Sequence, residues 1–202
     1  AQISCEPQDL KYEGEKTTAH IGNGTVIREF VTVSKGTSDK MDTKIGEDCL
    51  IMAYAHIAHD CQLGSNIIIG NACQIAGHVD IDDFAIISGL TAVHQFVKIG
   101  SHVMISGGSL VRKDVPPYIK AGREPLSFAG INSVGLRRRE FTSEIISHIQ
   151  NSYRFIYQSD LNNSKALEKI KNEIPASTHV NAIVTFIENS ERGIIRGFSD
   201  SL

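Results

Sequence analysis

The chain has 202 residues, 21% of them charged, and a net charge of −3 at pH 7, which fits one sizeable globular domain or a domain with an appendage. There is no overall basic excess of the kind typical of nucleic-acid-binding proteins, so we expect no nucleic-acid partner. No apolar run approaches the ~18 residues that a membrane-spanning helix requires, and no signal peptide is visible, so we expect no membrane span and a cytoplasmic location.

An aliphatic residue returns every six positions from residue 21 onward, with one exception at Asp39. A period of six does not match the 3.6-residue period of an α-helix, and it is typical of a parallel β-helix in which three short strands make each 18-residue coil. We therefore predict an all-β left-handed parallel β-helix, a three-sided prism; the left hand follows from the hexapeptide-repeat class. The repeated positions are Ile21, Ile27, Val33, Ile45, Ile51, Ile57, Leu63, Ile69, Ile75, Ile81, Ile87, Val93, Ile99, Ile105 and Val111.

The β-helix is predicted over residues 1–116, with loops at 5–18 and 36–44 where the pattern fails. Ile3 is in phase with Ile21, and we place it one coil earlier. Because the sequence begins at Ala1 rather than Met with the repeat already under way, we expect it to be a longer protein that has lost N-terminal coils. Loops on a rigid scaffold are common places for functional residues.

Three of the four cysteines, Cys49, Cys61 and Cys73, are spaced by 12 residues, which puts them on different faces of an 18-residue coil. They are poorly placed to pair, and their spacing does not resemble a zinc knuckle. We expect them to be free and buried, in a reducing compartment.

A connector and a C-terminal helical region are predicted over residues 117–202. The coil pattern ends at 114–117 (DVPP), since proline cannot donate to a strand ladder. After a connector at 118–139, apolar residues at helical spacing predict a first helix capped by Thr142 or Ser143, a second over 164–174 and a third over 178–189.

One column of polar residues lies at the coil period: His59, Gly77 and Gln95 are each 18 apart. His59 is followed by Asp60, a carboxylate that can hold the imidazole in one tautomer, as a general base requires. Gly77 offers an unobstructed N–H of the kind that stabilises an oxyanion. Gln95 suits an amide or a pyrophosphate. No serine or cysteine nucleophile pairs with these groups in a familiar motif, so direct transfer to an acceptor alcohol or amine is favoured over a covalent intermediate.

An arginine run at 137–139, with Asn132 nearby, is a second candidate site. A solvated charge run is the simpler interpretation. Arginine is nevertheless well suited to phosphate because its guanidinium makes two parallel hydrogen bonds.

Seven runs carry a family resemblance: 8–12 (QDLKY), 55–61 (AHIAHDC), 76–79 (AGHV), 82–87 (DDFAII), 91–96 (TAVHQF), 114–118 (DVPPY) and 132–139 (NSVGLRRR). In order and over essentially the whole chain they resemble the acyl-[acyl-carrier-protein]–UDP-N-acetylglucosamine O-acyltransferases. That family performs the first step of lipid A synthesis in Gram-negative bacteria. Its members have several further N-terminal hexads.

The resemblance implies that His59 deprotonates the glucosamine 3-hydroxyl, which attacks the thioester of a 3-hydroxyacyl-acyl-carrier-protein. Asp60 would orient His59, and the Gly77 N–H would hold the tetrahedral oxyanion. Further implied contacts are Gln8, Asp9 and Lys11 for the sugar and acyl hydroxyl; His56, His78, His94 and Gln95 for the cleft; and Asn132, Arg138 and Arg139 for the nucleotide phosphates.

The resemblance also implies a homotrimer with its site between subunits, and two substrates, acyl carrier protein and UDP-N-acetylglucosamine. No cofactor or metal is implied, since the donor's phosphopantetheine is carried by acyl carrier protein. Gly107 matches a position that limits acyl-chain length, and a glycine there implies a long chain. The family often has an acidic residue two places after the asparagine, where this chain has Val134.

Three other interpretations share this scaffold. A zinc enzyme of the γ-carbonic-anhydrase type would use His59, His78 and His94 as ligands, but it would not need the 8–12 loop or the arginine run. The later N-acyltransferase of the same pathway is disfavoured by the QDLKY and HQF runs. A purely structural solenoid does not explain why polar residues gather on one face.

Overall fold

The fold is described here from a computed structural model, which describes residues 1–197. Its strands alternate among three sheets, and equivalent strands of successive coils pair in parallel. The first sheet contains β1 (Gln2–Cys5), β4 (Thr32–Ser34), β7 (His56–Ile57), β10 (Gln74–Ile75), β13 (Ala92–Val93) and β16 (Leu110–Val111). The second contains β2 (Thr18–Ile21), β5 (Asp42–Ile45), β8 (Gln62–Leu63), β11 (Asp80–Ile81) and β14 (Lys98–Ile99). The third contains β3 (Val26–Ile27), β6 (Leu50–Ile51), β9 (Ile68–Ile69), β12 (Ile86–Ile87), β15 (Met104–Ile105), β17 (Ile119–Gly122), β18 (Ser127–Ile131) and β19 (Arg196–Gly197).

The predicted 18-residue coil is confirmed by the register. Ile57 pairs with Ile75, Ile75 with Val93, and Val93 with Val111. Each of these side chains is at most 3% exposed, so the hexad positions form buried ladders along the prism axis. Burying one such aliphatic side chain contributes roughly 1.5–3 kcal/mol, and each coil stabilises mainly its neighbours.

The three corners of the prism fix the direction of outward side chains. We call the corner between the first and second sheets the first corner (58–61, 76–79 and 94–97), that between the second and third sheets the second corner (82–85 and 100–103), and that between the third and first sheets the third corner (70–73, 88–91 and 106–109). A non-glycine residue adopts positive φ at each corner of most coils, for example Asp60 at 59°, Phe84 at 61° and Leu90 at 61°. This conformation costs about 1–2 kcal/mol per residue. Because it recurs every coil, corner side chains stand above one another.

The two loops differ from their predicted bounds. The first comprises residues 6–17, and it places Ile3 beneath Val33 in the first sheet. The prediction that Ile3 lies one coil before Ile21 is therefore wrong. The first loop replaces the strands that a full coil would have between these two residues, so Ile3 lies in the first sheet and Ile21 in the second. The second loop comprises 35–41. Residues 42–44, predicted as loop, belong to β5 and pair with β2.

The prism continues past the prolines. β17 pairs in parallel with β15, which adds a strand beyond residue 116. Pro116 and Pro117 fall where the ladder needs no donor: Val115 N–H bonds to Lys98 O at 2.9 Å and Tyr118 N–H to Ser101 O at 2.8 Å. The predicted connector is thus largely ordered into β17, the antiparallel β18 and a short helix.

Four helices follow: α1 (Ser133–Arg138), α2 (Ser143–Tyr157), α3 (Asn163–Glu173) and α4 (Thr178–Glu188). The three predicted helices are confirmed, and Thr142 is the N-cap of α2; α1 was not predicted. Tyr153 of α2 is 1% exposed and its hydroxyl donates to Pro117 O, which fixes the helices on the end of the prism. Among residues 1–197, no helix has the length and apolarity needed to cross a membrane. Positions 198–202 of the predicted helical region lie outside the described residues.

Candidate active site

The predicted column is confirmed at the first corner. His78 N–H donates to His59 O at 3.1 Å, and Phe96 N–H donates to Gly77 O at 3.3 Å. His59 and Gly77 therefore occupy equivalent places on successive coils. Beside them, Asp60, His78 and Phe96 occupy the positive-φ positions. The His78 ring stacks on Phe96 with centroids 4.6 Å apart and meets the His59 ring edge-on at 5.0 Å.

Asp60 is completely buried and is held by the second loop. Its carboxylate accepts hydrogen bonds from Thr37 Oγ1 at 2.6 Å, Thr37 N–H at 2.9 Å and Lys40 N–H at 3.2 Å. Its own N–H donates to Thr43 Oγ1 at 2.8 Å. Burial raises the pKa of Asp60, but the hydrogen bonds from Thr37 and His59 outweigh burial and lower it. Asp60 is therefore an ionised carboxylate with a fixed orientation.

His59 is 3% exposed, and its Nδ1 lies 2.8 Å from Asp60 Oδ2. Since an ionised carboxylate can only accept, Nδ1 carries the hydrogen and donates it. Nε2 is then left with its lone pair free, which is the state required of a general base. The Asp60 carboxylate therefore determines the tautomer of His59.

Gly77 lies directly against the His59 ring. A Cβ at Gly77 would lie 2.7 Å from both Cε1 and Nε2 of His59, so a side chain larger than hydrogen would displace the imidazole. Among residues 1–197, the Gly77 N–H has no hydrogen-bond acceptor. A free N–H beside the base is the donor that an oxyanion site needs.

His78 and Asp9 complete the cluster. His78 Nδ1 lies 3.1 Å from Asp39 Oδ2, although its direction does not make a hydrogen bond, and Nε2 lies 3.8 Å from Asp60 Oδ2. Asp9 comes from the first loop, and its carboxylate approaches the two imidazoles so that one ligand atom from each of Asp9, His59 and His78 lies within 4.8 Å of the others. The first loop thus brings Asp9 into the cluster, and the contact of Asp9 with the sugar and the acyl hydroxyl stays a prediction.

The other predicted cleft residues surround this cluster less closely. His56 lies on β7 with Nδ1 2.7 Å from Thr32 Oγ1; burial, with a smaller effect of neighbouring His59, lowers its pKa. His94 and Gln95 are exposed, and His94 Nδ1 lies 3.0 Å from the Gln95 carbonyl. Of the alternative zinc ligands His59, His78 and His94, which would meet between subunits, His59 and His78 lie in one cluster with Asp9 within the described residues of this chain, and His94 lies outside that cluster.

Two residues predicted to bind phosphates, Asn132 and Arg139, make contacts within the chain. Asn132 is 4% exposed; its Oδ1 caps α1 by accepting from Gly135 N–H at 3.2 Å, and its Nδ2 donates to His102 O at 2.9 Å. Arg139 lies with its guanidinium 5.1 Å from the Phe84 ring centre and donates to Phe84 O, and burial lowers its pKa. The contact of Asn132 with the nucleotide phosphates stays a prediction: its Oδ1 and one of its two Nδ2 hydrogens are used within the chain. Arg138 is exposed.

The predicted site residues occupy three corners of one protomer. His59, Asp60 and Gly77 are at the first corner. Asn132 and Arg139 contact the second corner through His102 and Phe84. Gly107 is at the third corner: a Cβ there would lie 3.1 Å from Gly89 O one coil below.

Sequence reasoning missed the residues that hold the site, namely Thr37, Asp39 and Lys40 of the second loop and Thr43 of β5. The signal was present in the failed hexad at Asp39, which marks a six-residue insertion next to the first corner. Phe96, which stacks on His78, was also missed. It is 18 residues after His78, so the coil period places it there.

The cysteines are free, as predicted, and Cys49, Cys61 and Cys73 are buried. Burial raises the pKa of the Cys61 thiol to about 12. These thiols are therefore inert core residues.

Comparison with known proteins gives two family matches within the chain. Residues 114–195 match the second domain of the UDP-N-acetylglucosamine O-acyltransferases, and residues 42–77 match the six-repeat bacterial transferase hexapeptide family.

Curated relatives and solved structures agree with these matches. An acyl-[acyl-carrier-protein]–UDP-N-acetylglucosamine O-acyltransferase of Myxococcus xanthus is 43% identical over 97% of this chain and 76% of its own length. The enzyme of that name from Xanthomonas campestris is 48% identical over 97% of this chain and 75% of its own. A crystal structure of a UDP-N-acetylglucosamine acyltransferase from Bacteroides fragilis superimposes with a TM-score of 0.95 at 53% identity, covering 96% of this chain and 76% of that one.

Proposed function

The chain belongs to the acyl-[acyl-carrier-protein]–UDP-N-acetylglucosamine O-acyltransferases, and from this premise we propose its reaction and the residues that perform it. It transfers a 3-hydroxyacyl group from acyl carrier protein to the 3-hydroxyl of UDP-N-acetylglucosamine, the first step of lipid A biosynthesis. The observation that carries the assignment to a site is the buried His59–Asp60 pair with Gly77 lying directly against the His59 ring. The prism is the left-handed β-helix of this family.

In the proposed mechanism, His59 Nε2 removes the proton of the acceptor 3-hydroxyl as the oxygen attacks the thioester carbonyl. A positioned general base contributes typically 10²–10⁴-fold in rate. Asp60 stabilises the imidazolium that forms and keeps Nε2 directed at the acceptor. The hydrogen bonds from Thr37 and Lys40 hold Asp60 for this task. His59 then returns the proton to the departing thiolate.

The Gly77 N–H is proposed to stabilise the tetrahedral oxyanion. Removing one such donor in other enzymes costs about 10²–10³-fold in kcat. Its position beside the base suits an acyl carbon that reacts with the hydroxyl held at His59 Nε2. A Cβ at position 77 would clash with the His59 ring, which explains why a glycine is needed there.

The acceptor's remaining contacts are assigned to the two loops and the exposed polar residues. Gln8, Asp9 and Lys11 would contact the sugar and the acyl hydroxyl, while His56, His78, His94 and Gln95 line the cleft. Arg138, which is exposed, would bind phosphate directly. Arg139 would add the N–H donors that its contacts with Gly135 and Phe84 leave free. Asn132 would act by holding α1, and with it the arginines, in place.

A homotrimer is proposed because one protomer separates the parts of the site. His59 at the first corner and Gly107 at the third corner can border one acyl chain only if two copies meet. Apolar side chains also remain exposed at the third corner, including Phe30 at 64%, Tyr54 at 59% and Leu90 at 72%. Such exposed apolar surface is typical of an interface. Light scattering after size exclusion would give three times the monomer mass; a monomer would contradict the proposal.

The decisive experiment measures acyl transfer from 3-hydroxyacyl-acyl-carrier-protein to UDP-N-acetylglucosamine. His59→Ala should lose at least about 10²-fold, the smallest effect expected of a general base. The matched control is His20→Ala, which removes an exposed histidine that also neighbours a carboxylate, Asp42 at 3.8 Å. Activity retained in His59→Ala would remove His59 as the base. Both variants should elute as the unaltered protein does. Location in the cytoplasm is proposed with this reaction, since acyl carrier protein is its donor.

A further inference from the structure

The first-corner cluster has the chemistry of a transition-metal site as well as of a general base. We propose that Asp9, His59 and His78 bind one divalent first-row transition-metal ion, with Zn²⁺ the best fit, and that this ion reversibly blocks the base. Metal binding stands on the geometry alone. Its inhibitory effect rests on the function proposed above.

The ligand set is the first reason. Two imidazole nitrogens and a carboxylate oxygen within 4.8 Å of one another form a His₂Asp set. Three protein ligands of this kind with an open fourth position are typical of zinc sites that exchange a water or substrate. Ligand atoms around tetrahedral zinc lie about 3.4 Å apart, given metal–ligand distances near 2.0–2.2 Å. Asp9 lies on the first loop, outside the strand ladder, so a shift of about 1–1.5 Å can bring its oxygen into place.

The outer contacts are the second reason. Metal-bound histidines commonly place their other ring nitrogen against a carboxylate, which orients the ring and increases its donor strength. Asp60 does this for His59 at 2.8 Å, and Asp39 lies 3.1 Å from His78 Nδ1. Asp60 therefore occupies Nδ1 of His59 and leaves its Nε2 for an ion, while Nε2 of His78 lies 3.8 Å from Asp60 Oδ2.

The local charge is the third reason. Asp9, Asp39 and Asp60 place three carboxylates around two imidazoles. Of the two lysines in the second loop, Lys40 is paired with Asp80 at 2.8 Å and Lys35 lies over the Tyr12 ring. A dication therefore lowers the electrostatic free energy of the cluster. Imidazole ligands favour zinc, copper or nickel over magnesium and calcium, which prefer oxygen.

The functional consequence follows from the shared lone pair. The Nε2 electrons of His59 that would remove the acceptor proton are the electrons that an ion would coordinate. A bound ion would also occupy the space where the acceptor hydroxyl approaches. Zinc should therefore inhibit in competition with UDP-N-acetylglucosamine.

The first test measures Zn²⁺ binding directly, by competition with a chromophoric chelator, with no turnover required. One ion per chain is expected, and Asp9→Asn and His78→Gln should each weaken binding by at least about tenfold, the lower range for losing a metal-site partner. The matched control is His20→Gln, since His20 lies 3.8 Å from Asp42 but is 64% exposed and is not part of the three-ligand cluster. Absence of one-to-one binding, or equal affinity in all four proteins, would overturn the site.

A second measurement guards against binding through thiols. The Co²⁺-loaded protein should show the visible bands of a tetrahedral nitrogen–oxygen site without a near-ultraviolet sulfur charge-transfer band. A strong sulfur band would place the metal at a cysteine, such as the half-exposed Cys5, and refute the assignment.

The inhibitory part is tested separately in the acyl-transfer assay. Activity should fall as Zn²⁺ occupies the site, return on adding a chelator, and be protected by excess UDP-N-acetylglucosamine. Asp9→Asn should need at least about tenfold more zinc for half inhibition. Zinc binding without inhibition, or activation by zinc, would refute the inhibitory role while leaving the site itself. An inactive metal-free enzyme would instead count against the proposed function.

Discussion

Gly77→Ala tests the proposed geometry of the base with the smallest possible change. The added Cβ would lie 2.7 Å from Cε1 and Nε2 of His59. Ordinary carbon contacts need about 3.5–4.0 Å, so the imidazole must move by about 1 Å. A misplacement of that size costs about 10²-fold in rate, equivalent to about 2.7 kcal/mol in the activation barrier. The expected result is a kcat about 10²-fold lower in the acyl-transfer assay.

The control for this prediction is the double variant with His59→Ala. In that background the ring is absent, so the alanine Cβ at Gly77 has room and should not lower the residual rate further. The Gly77 N–H is retained in both proteins. A single variant within twofold of the unaltered enzyme would refute the steric argument. A further 10²-fold loss in the His59→Ala background would show instead that the substitution disturbs the backbone N–H.

Three further predictions address Asp60, Asn132 and Gly107. Asp60→Asn should lower kcat by at least about 10²-fold, the smallest contribution expected of a general base. In urea unfolding, the unaltered protein should be more stable than Asp60→Asn, and this difference in unfolding free energy should decrease as the pH is lowered. The sign follows from its lowered pKa: the advantage is complete above the unfolded value near 3.9 and disappears as pH falls through the lower folded value. Asn132→Ala should cost about 0.5–2 kcal/mol in unfolding free energy through the lost cap. Asn132→Asp keeps the cap acceptor but should not restore the stability, because its carboxylate cannot donate to His102 O. Gly107→Met should shift the donor preference in the transfer assay to shorter acyl chains, and an unchanged profile would refute the chain-length role.

Much of the coil was predictable because a period of six residues has a direct geometric meaning. The stacking of Gly77 on His59 needs only their spacing of 18. The same arithmetic shows that Gly107, 48 residues after His59, lies at another corner. Only the structure made plain that His59 and Gly107 of one chain are therefore on separate corners of the prism. Period therefore determines which residues share a corner.

The parts that failed depend on contacts that have no period. Thr37 reaches Asp60 through a loop whose path is set by its own hydrogen bonds. The helix α1, which Asn132 caps, was placed in a connector because its six residues are too few to show helical spacing. Ile3 was assigned to the wrong ladder because an insertion of arbitrary length can keep the phase while changing the face.

In the proposed trimer, the regular stacking of coils would set a length scale for an acyl chain that runs along the prism. One coil advances about 4.8 Å, and an extended chain advances about 1.2 Å per bond, so one coil corresponds to about four carbons. Gly107 follows His59 by two and two-thirds coils, a height of about 13 Å, and the proposed three-fold axis, parallel to the prism, would preserve that height between copies. A chain that reaches Gly107 from the thioester at His59 would therefore need about eleven carbons or more. Gly89 stands one coil nearer the base, and a methionine there should lower the accepted length by about four carbons more than one at Gly107.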